Sequence, residues 1–451
     1  MSFDNSFPRG LDAPAPPVAR VITASRLISA PGEAVIADGA VVLDAGAIAW
    51  VGPLAGLPGA YAAHPLTSHP GGTILPGLVE THAHLGSYAN APSAAASVPA
   101  GRHEQARVAL SSVAIARQLA SVGVTTVQSL GSRFFADVAL RDAVADGLVA
   151  GPRIVAAGPQ LTTTAGHAWS TGGEVDSVTE IRRAVRDHHK AGVDLIKVMA
   201  TGGFMTARTA PWHAQFTTEE LRALVEEAHR LGKHTAAHAH GTEGIRRAVD
   251  AGIDYLAHAS FIDRDGRTRF DPELADRIAA RGIYVDTCSP PSWPAVAGET
   301  TTPRALELYR HGVPLVTGHD IGAVLPASGY TFGLKQLEAS GIPREEVLRA
   351  ATSRAAAAVG LAGVTGVLAA GYAADLIVVD GDPLADLAAL DRLREVVIGG
   401  RTFVPDPVEP FLPERPAAAA GTPHPSDARA AWLEHQHRRR AHLAGVGVPT
   451  A

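Results

Sequence analysis

Apolar residues fall into short, nearly continuous runs at 78–84, 124–130, 154–157, 195–199, 235–240, 254–258, 283–287 and 314–317. Between them, at 104–121, 136–146, 178–190, 218–231, 242–251, 272–281 and 303–311, apolar positions recur every three or four residues. The first pattern predicts strands buried on both faces, the second amphipathic helices that cover them. Eight such alternations predict an α/β fold, a TIM-like (β/α)8 barrel with its site at the C-terminal strand ends. A doubly wound open sheet is the alternative. It lacks support, because no glycine-rich GxGxxG or Walker loop follows any run.

The flanks read differently. Runs at 18–27, 39–44 and 47–51 are short strands, the last two joined by a hairpin turn at Ala45-Gly46. Past the last barrel run, 344–361 reads as an alanine-rich helix, and 366–368, 375–380, 395–398 and 401–404 return to strand character. This predicts a small β-sandwich domain built from 18–73 and 366–404, around a barrel of 74–365. Residues 1–17 read as a disordered Pro/Ala-rich leader. Residues 405–451 form an extension with a helix at 426–443. Its basic run Arg438-Arg439-Arg440 marks a solvated or packing helix, with an interaction arm as the alternative.

Composition narrows the function. A net charge of −6 leaves no electrostatic footprint for nucleic acid. A single cysteine, Cys288, rules out an intrachain disulfide and predicts a reducing compartment, the cytoplasm. No apolar run has transmembrane length, and the first twenty residues lack the core of a secretory signal. A homo-oligomer is compatible with all of this.

The candidate chemistry sits at the strand ends. His82 and His84 end the first run two residues apart, so a strand puts both on one face, where they can hold one transition metal ion. A pair of hydrogen-bonded core histidines is the bland alternative. Lys197 lies inside the apolar fourth run, where burial as a cation is costly. Carbamylation by carbon dioxide would convert it into a carboxylate able to bridge two metals; snorkelling or pairing with an acid is the alternative. His238 and His240 end the fifth run, His258 the sixth and Asp320 the eighth. Each alone says little, but strand ends converge on one rim of a barrel. His319, adjacent to Asp320, points the other way and reads as structural. His188, His189, His229 and His234 lie on or beside helices and read as non-functional. Cys288 ends the seventh run and reads as a buried, inert thiol.

The constellation resembles the amidohydrolase superfamily of metal-dependent hydrolases, and within it the prolidase-like and imidazolonepropionase-related group. The residues that carry the likeness are LPGLVETHAHL, GVTTVQSLGS, GPRIVAAGPQLTTTAGH, IKVMATGG, AAHAHGTEGIRRAVDAGIDYLAHAS, VTGHD and GVLAAGYAADLIVVDGDPL, spread from about 18 to 404. The resemblance implies that His82, His84 and Asp320 hold one divalent ion and His238 and His258 a second, with carbamylated Lys197 between them. Zinc is the expected metal, manganese the alternative. It also implies a hydroxide between the ions as nucleophile, with Asp320 as acid and base. His240, His167 and Arg208, the last on the loop after the fourth run, are candidate substrate contacts. Two positions depart from the group. Ser129 stands where some relatives carry aspartate, and Phe216 where some carry tyrosine, which puts standard dipeptidase activity in question.

The expected activity is hydrolysis of a C–N amide bond in a small substrate, an Xaa-Pro dipeptide or an N-acyl amino acid. A mononuclear deaminase or cyclic-amidine hydrolase is the alternative. Such enzymes carry a glutamate three residues after the fifth-strand histidine, and here that position is Gly241. A catalytically dead scaffold would have lost ligands, and none of the six is missing.

Overall fold

A computed structural model of the chain describes residues 19–86, 103–288, 304–323, 325–409 and 411. The expected leader and the helix at 426–443 lie outside the described residues. Among the described residues sixteen strands are formed. The first four are β1 (Arg20–Leu27), β2 (Ile36–Asp44), β3 (Ala47–Pro53) and β4 (Leu66–Pro76). Next come β5 (Leu78–Ala83), β6 (Val124–Ser129), β7 (Arg153–Ala156), β8 (Leu161–Thr162) and β9 (Gly173–Glu174). Then follow β10 (Leu195–Met199), β11 (His234–Gly241), β12 (Tyr255–Ile262) and β13 (Tyr284–Asp286). The last three are β14 (Leu376–Asp380), β15 (Leu393–Ile398) and β16 (Arg401–Phe403).

Two of the sheets are parallel, ordered β5-β6-β7 and β13-β12-β11-β10-β8-β9. Backbone hydrogen bonds link β7 to the residue before β10, and β5 to the eighth apolar run. Asp194 N–H donates to the Ala156 carbonyl at 2.8 Å, and on the other side Thr81 N–H donates to Thr317 at 3.0 Å. The eighth apolar run, 314–317, was expected as a strand. It makes only single bridges, Val285 with Leu315 and, further on, Ala83 with Ile321. The ladder breaks because Gly318 and Asp320 intervene. Asp320 takes a left-handed φ of 55°, and a β-carbon on Gly318 would stand 2.8 Å from both His82 Cβ and Asp286 Cβ.

Several helices start where a side chain satisfies a free N–H group. Thr217 and Glu220 form a full capping box on Thr218–Arg230. Ser177 caps Val178–Lys190, and Asp271 caps Pro272–Ala280 with proline in the first turn. On Val178–Lys190 the buried positions are Ile181, Val185 and His188, one stripe against the sheet. The alanine-rich segment is two helices rather than one, Arg344–Ala350 and Ser353–Ala358, interrupted at Thr352 (φ −134°, ψ −99°). The reason is competition for carbonyls. Ala350 O accepts from Thr317 N–H and Ala351 O from Val79 N–H, at 3.1 and 2.8 Å.

The two ends of the chain meet in one seven-stranded sheet, β16-β15-β14-β4-β1-β2-β3. The hairpin between β2 and β3 turns at Ala45 and Gly46, with φ of 47° and 86° as a type I′ turn requires. The expected strand at 366–368 is absent; Leu368 N–H makes one bond, to Ser29 O at 2.7 Å. β4 was not foreseen as a strand. It passes into β5 through Gly77, where a β-carbon would lie 2.1 Å from Thr125 Oγ1. The apolar sides of these strands, including Ile22, Leu43, Ile74 and Val378, pack into a core of their own. No helix among the described residues is long and apolar enough to cross a membrane.

Candidate metal centre

At the C-terminal ends of the parallel strands, imidazoles converge. His82 and His84 lie with ring centroids 5.4 Å apart, and His82 sits 5.1 Å from His258. His238 is 4.6 Å from both His240 and His258, and His240 stacks on His258 at 4.3 Å. His167, on the loop after β8, lies 4.6 Å from His238. The two-residue spacing in β5 and β11 therefore does put each histidine pair on one face.

Asp320 reaches this cluster from the broken eighth segment. Its Oδ1 is 3.0 Å from His84 Nε2 and 3.5 Å from His82 Nε2. Burial pushes its carboxyl up, but His82 and His84 outweigh that and hold it well below the usual range. His238, His240 and His258 are pushed well below the ordinary imidazole value, first by burial and then by neighbouring imidazoles. At neutral pH they are therefore uncharged, with lone pairs to offer.

Lys197 is 1% exposed and its Nζ has no hydrogen-bond partner. Burial lowers its pKa to about 8, against the pull of Asp286 and Asp320. An orphaned amine in a ring of carboxylates and neutral imidazoles is a group whose chemistry is incomplete as it stands. Among the described residues, three sets can each bring their ligand atoms within 4.8 Å of one another. They are His82, His84 and Asp320; His238, His240 and His258; and His82, His258, Asp286 and Cys288.

Around the cluster, buried acids fix the rings. Asp286 Oδ2 is 3.1 Å from His82 Nδ1 and accepts from Tyr255 Oη at 2.7 Å; Oδ1 takes His258 N–H at 3.3 Å. Glu80 Oε1 accepts the backbone N–H groups of His82 and His319, at 2.6 and 3.0 Å, and its Oε2 lies 2.6 Å from His319 Nδ1. His319, beside Asp320, is thereby held by Glu80. His84 Nδ1 lies 3.3 Å from both the Gly131 carbonyl and Gln160 Nε2, and His240 Nδ1 is 2.8 Å from Ser260 Oγ. His258 (φ 72°) and Asp320 (φ 55°) sit in left-handed backbone, a cost of the kind stored at functional sites.

The remaining candidates are spread. His167 is buried beside His238, whereas Arg208 is exposed on its loop. Phe216 is buried in the core, its carbonyl accepting from Arg247 Nη1 at 2.8 Å. Ser129 is buried at the end of β6. Asp286 and Glu80 were missed from sequence. For Glu80 a signal was there, an acid just after the apolar Leu78-Val79 and before His82; Asp286 ends its strand and carries no such mark.

The sequence profile of the amidohydrolase family matches residues 73–403. Ochratoxinase of Aspergillus niger is 30% identical over 439 residues, covering 85% of this chain and 86% of its own. An imidazolonepropionase of Nocardia farcinica is 27% identical over 379 residues, 78% of this chain and 87% of its own. Among solved structures, an Xaa-Pro dipeptidase with methionine bound in its active site superposes with a TM-score of 0.75 at 28% identity, over 85% of this chain and 99% of that one.

Proposed function

The chain belongs to the amidohydrolase family and is a hydrolase of carbon–nitrogen bonds; on that premise we propose that it cleaves the amide bond of a small substrate, an Xaa-Pro dipeptide or an N-acyl amino acid, with two divalent metal ions. In this reading the two parallel sheets are arcs of one (β/α)8 barrel, the hydrogen bonds at Ala156 and Thr317 closing the ring. Residues 74–365 form the barrel, and 18–73 with 366–404 the smaller β-domain.

The observation that carries the proposal is the buried, partnerless Nζ of Lys197 among carboxylates and uncharged imidazoles. The donor set fits a cation pair. His82, His84 and Asp320 would hold one ion, His238 and His258 the other, and Lys197 as a carbamate would stand between them. Zinc suits the imidazole and carboxylate donors, with manganese the other metal such a set accepts. When bound, the ions supply a water of lowered pKa and polarise the scissile carbonyl. The chain's own residues do the rest. Asp320 takes a proton from the attacking water and returns it to the leaving nitrogen. Asp286 and Glu80 lock the ring and backbone of His82. His240, anchored on Ser260, and His167 face the substrate, and with Arg208 from the loop they orient its free carboxylate.

A one-metal hydrolase of a cyclic amide or amidine is the second reading. Behind it stands the complete three-nitrogen set of His238, His240 and His258. Elemental analysis separates the two: two ions per chain support the first, one tightly held ion the second. The substrate class is tested with metal-loaded protein on dipeptides and N-acyl amino acids, each paired with its C-terminal amide. The free acids should be favoured by at least about tenfold in kcat/KM, roughly 1.4 kcal/mol, and His240→Ala should erase most of that preference. Equal cleavage of acid and amide, or turnover of carboxylate-free lactams alone, would reject the substrate class.

A further inference from the structure

The hydrolysis proposed above leaves one buried nucleophile unused. Cys288 is the chain's single cysteine, buried just past the end of β13. Its Sγ, a carboxylate oxygen of Asp286 and imidazole nitrogens of His82 and His258 all lie within 4.8 Å of one another, with all four side chains buried. A second observation concerns the same space. The partnerless Nζ of Lys197, 1% exposed, has the carboxylates of Asp286 and Asp320 and the thiol of Cys288 as its titratable acidic neighbours.

We propose that His82, His258, Asp286 and Cys288 form a further cation position, closed and selective for soft divalent ions, whose filling competes with productive metal loading.

Charge balance favours it. Two neutral imidazoles, one carboxylate and one thiolate cancel a divalent cation, so no net charge is buried; the thiol proton leaves to solvent as the metal–sulfur bond forms. Reach favours it too. Bonds of about 2.0–2.3 Å in a tetrahedral site put donor atoms roughly 3.3–3.8 Å apart. The four groups therefore draw in by about 1 Å or less. Asp286 Oδ2 already serves His82 and Tyr255, but Oδ1 takes only the long 3.3 Å bond from His258 N–H, which leaves it a lone pair. Sulfur selects softer ions such as cadmium, cobalt and excess zinc over manganese or magnesium. Four protein ligands leave no open position for water or substrate, the mark of a structural rather than a catalytic zinc site. The competition follows from sharing: the position takes His82 from one proposed ligand group and His258 from the other. The site itself stands on the four residues; only its inhibitory effect rests on the two-metal reading.

Cobalt titration of the metal-free full chain tests it, because a thiolate bound to Co²⁺ gives a charge-transfer band in the near ultraviolet. With one thiol in the chain, that band reports Cys288 alone. The band should grow at cobalt loads beyond those giving maximal activity, as activity declines, and cadmium should displace it. Cys288→Ser should abolish the band and the inhibition while keeping activity at low metal; Cys288→Ala serves if the serine variant folds poorly, and the parent spectrum needs no variant. Cobalt bound with no band at any load overturns the inference and leaves the two-metal function standing. A band that appears with the first equivalent while activity rises also overturns it, since the thiol would then belong to the productive centre. A late band in a protein that cleaves no substrate of the proposed class supports this position and counts against the function instead.

Discussion

His82 Nδ1 lies 3.1 Å from Asp286 Oδ2, with the two side chains 1% and 0% exposed. A carboxylate can only accept, so Nδ1 carries a proton, and Nε2, which faces Asp320, is the nitrogen left to meet a cation. Asp286 thereby decides which nitrogen of His82 is available to a cation.

Asp286→Asn removes that instruction while keeping the shape. Affinity for divalent metal should fall about 10–100-fold, with the circular dichroism spectrum unchanged and Asp286→Glu recovering part of the loss. Chelator competition measures it. Parental affinity in the asparagine variant would make Asp286 a structural acid only.

Lys197→Met keeps the volume of a fully buried side chain and deletes an amine without a partner. The metal-free variant should unfold at a denaturant concentration no lower than the parent, since nothing bonded is lost. It should also bind little metal and turn over little substrate. In Lys197→Ala, small carboxylic acids should restore part of the activity by filling the vacated space. Full metal content and full rate in either variant would show that the lysine bridges nothing.

Asp320→Asn should lower kcat by roughly 10²–10⁴, the range for losing a general acid and base. Steady-state kinetics on protein with verified metal content and fold is the check. A near-normal kcat would remove Asp320 from the chemical step.

The three imidazoles depressed by burial make a pH prediction. His238, His240 and His258 have folded pKa values below the ordinary 6.5. Above that value they are neutral whether folded or not. Below it the unfolded chain takes up protons that the folded chain resists, so the metal-free protein loses stability as pH falls from about 6.5 toward the folded values. Each imbalance contributes about 1.4 kcal/mol per pH unit, at most roughly 4 for all three. Urea midpoints either side of that value measure it, and His240→Asn should flatten the slope. A midpoint that does not move would mean the rings protonate freely in place.

Much of this was legible because it is local. The period of two in His82-Ala-His84 and His238-Ala-His240 is written into a few adjacent residues. What stayed hidden depends on partners far along the chain. The 344–361 helix breaks because Thr317 and Val79 claim its carbonyls. Residues 314–317 fail as a strand where Gly318 packs against His82 and Asp286 and Asp320 takes a left-handed φ. Asp286 looks like any strand-end acid until His82, 204 positions away, is brought against it.

β4 lies between β1 and β14, and Ile74 pairs with Leu27 on one side and Val378 on the other. The first partner is made before it, but the second leaves the ribosome roughly 300 residues later, a delay of roughly 15–60 s at ordinary rates of synthesis. For that interval β4 presents an unpaired apolar edge just ahead of the strand that carries His82, an invitation to the neighbouring nascent chain. The protein should therefore depend on a holding chaperone during translation more than its finished stability implies. A chain stopped before residue 376 should accumulate as aggregate even though every proposed metal ligand has already been made.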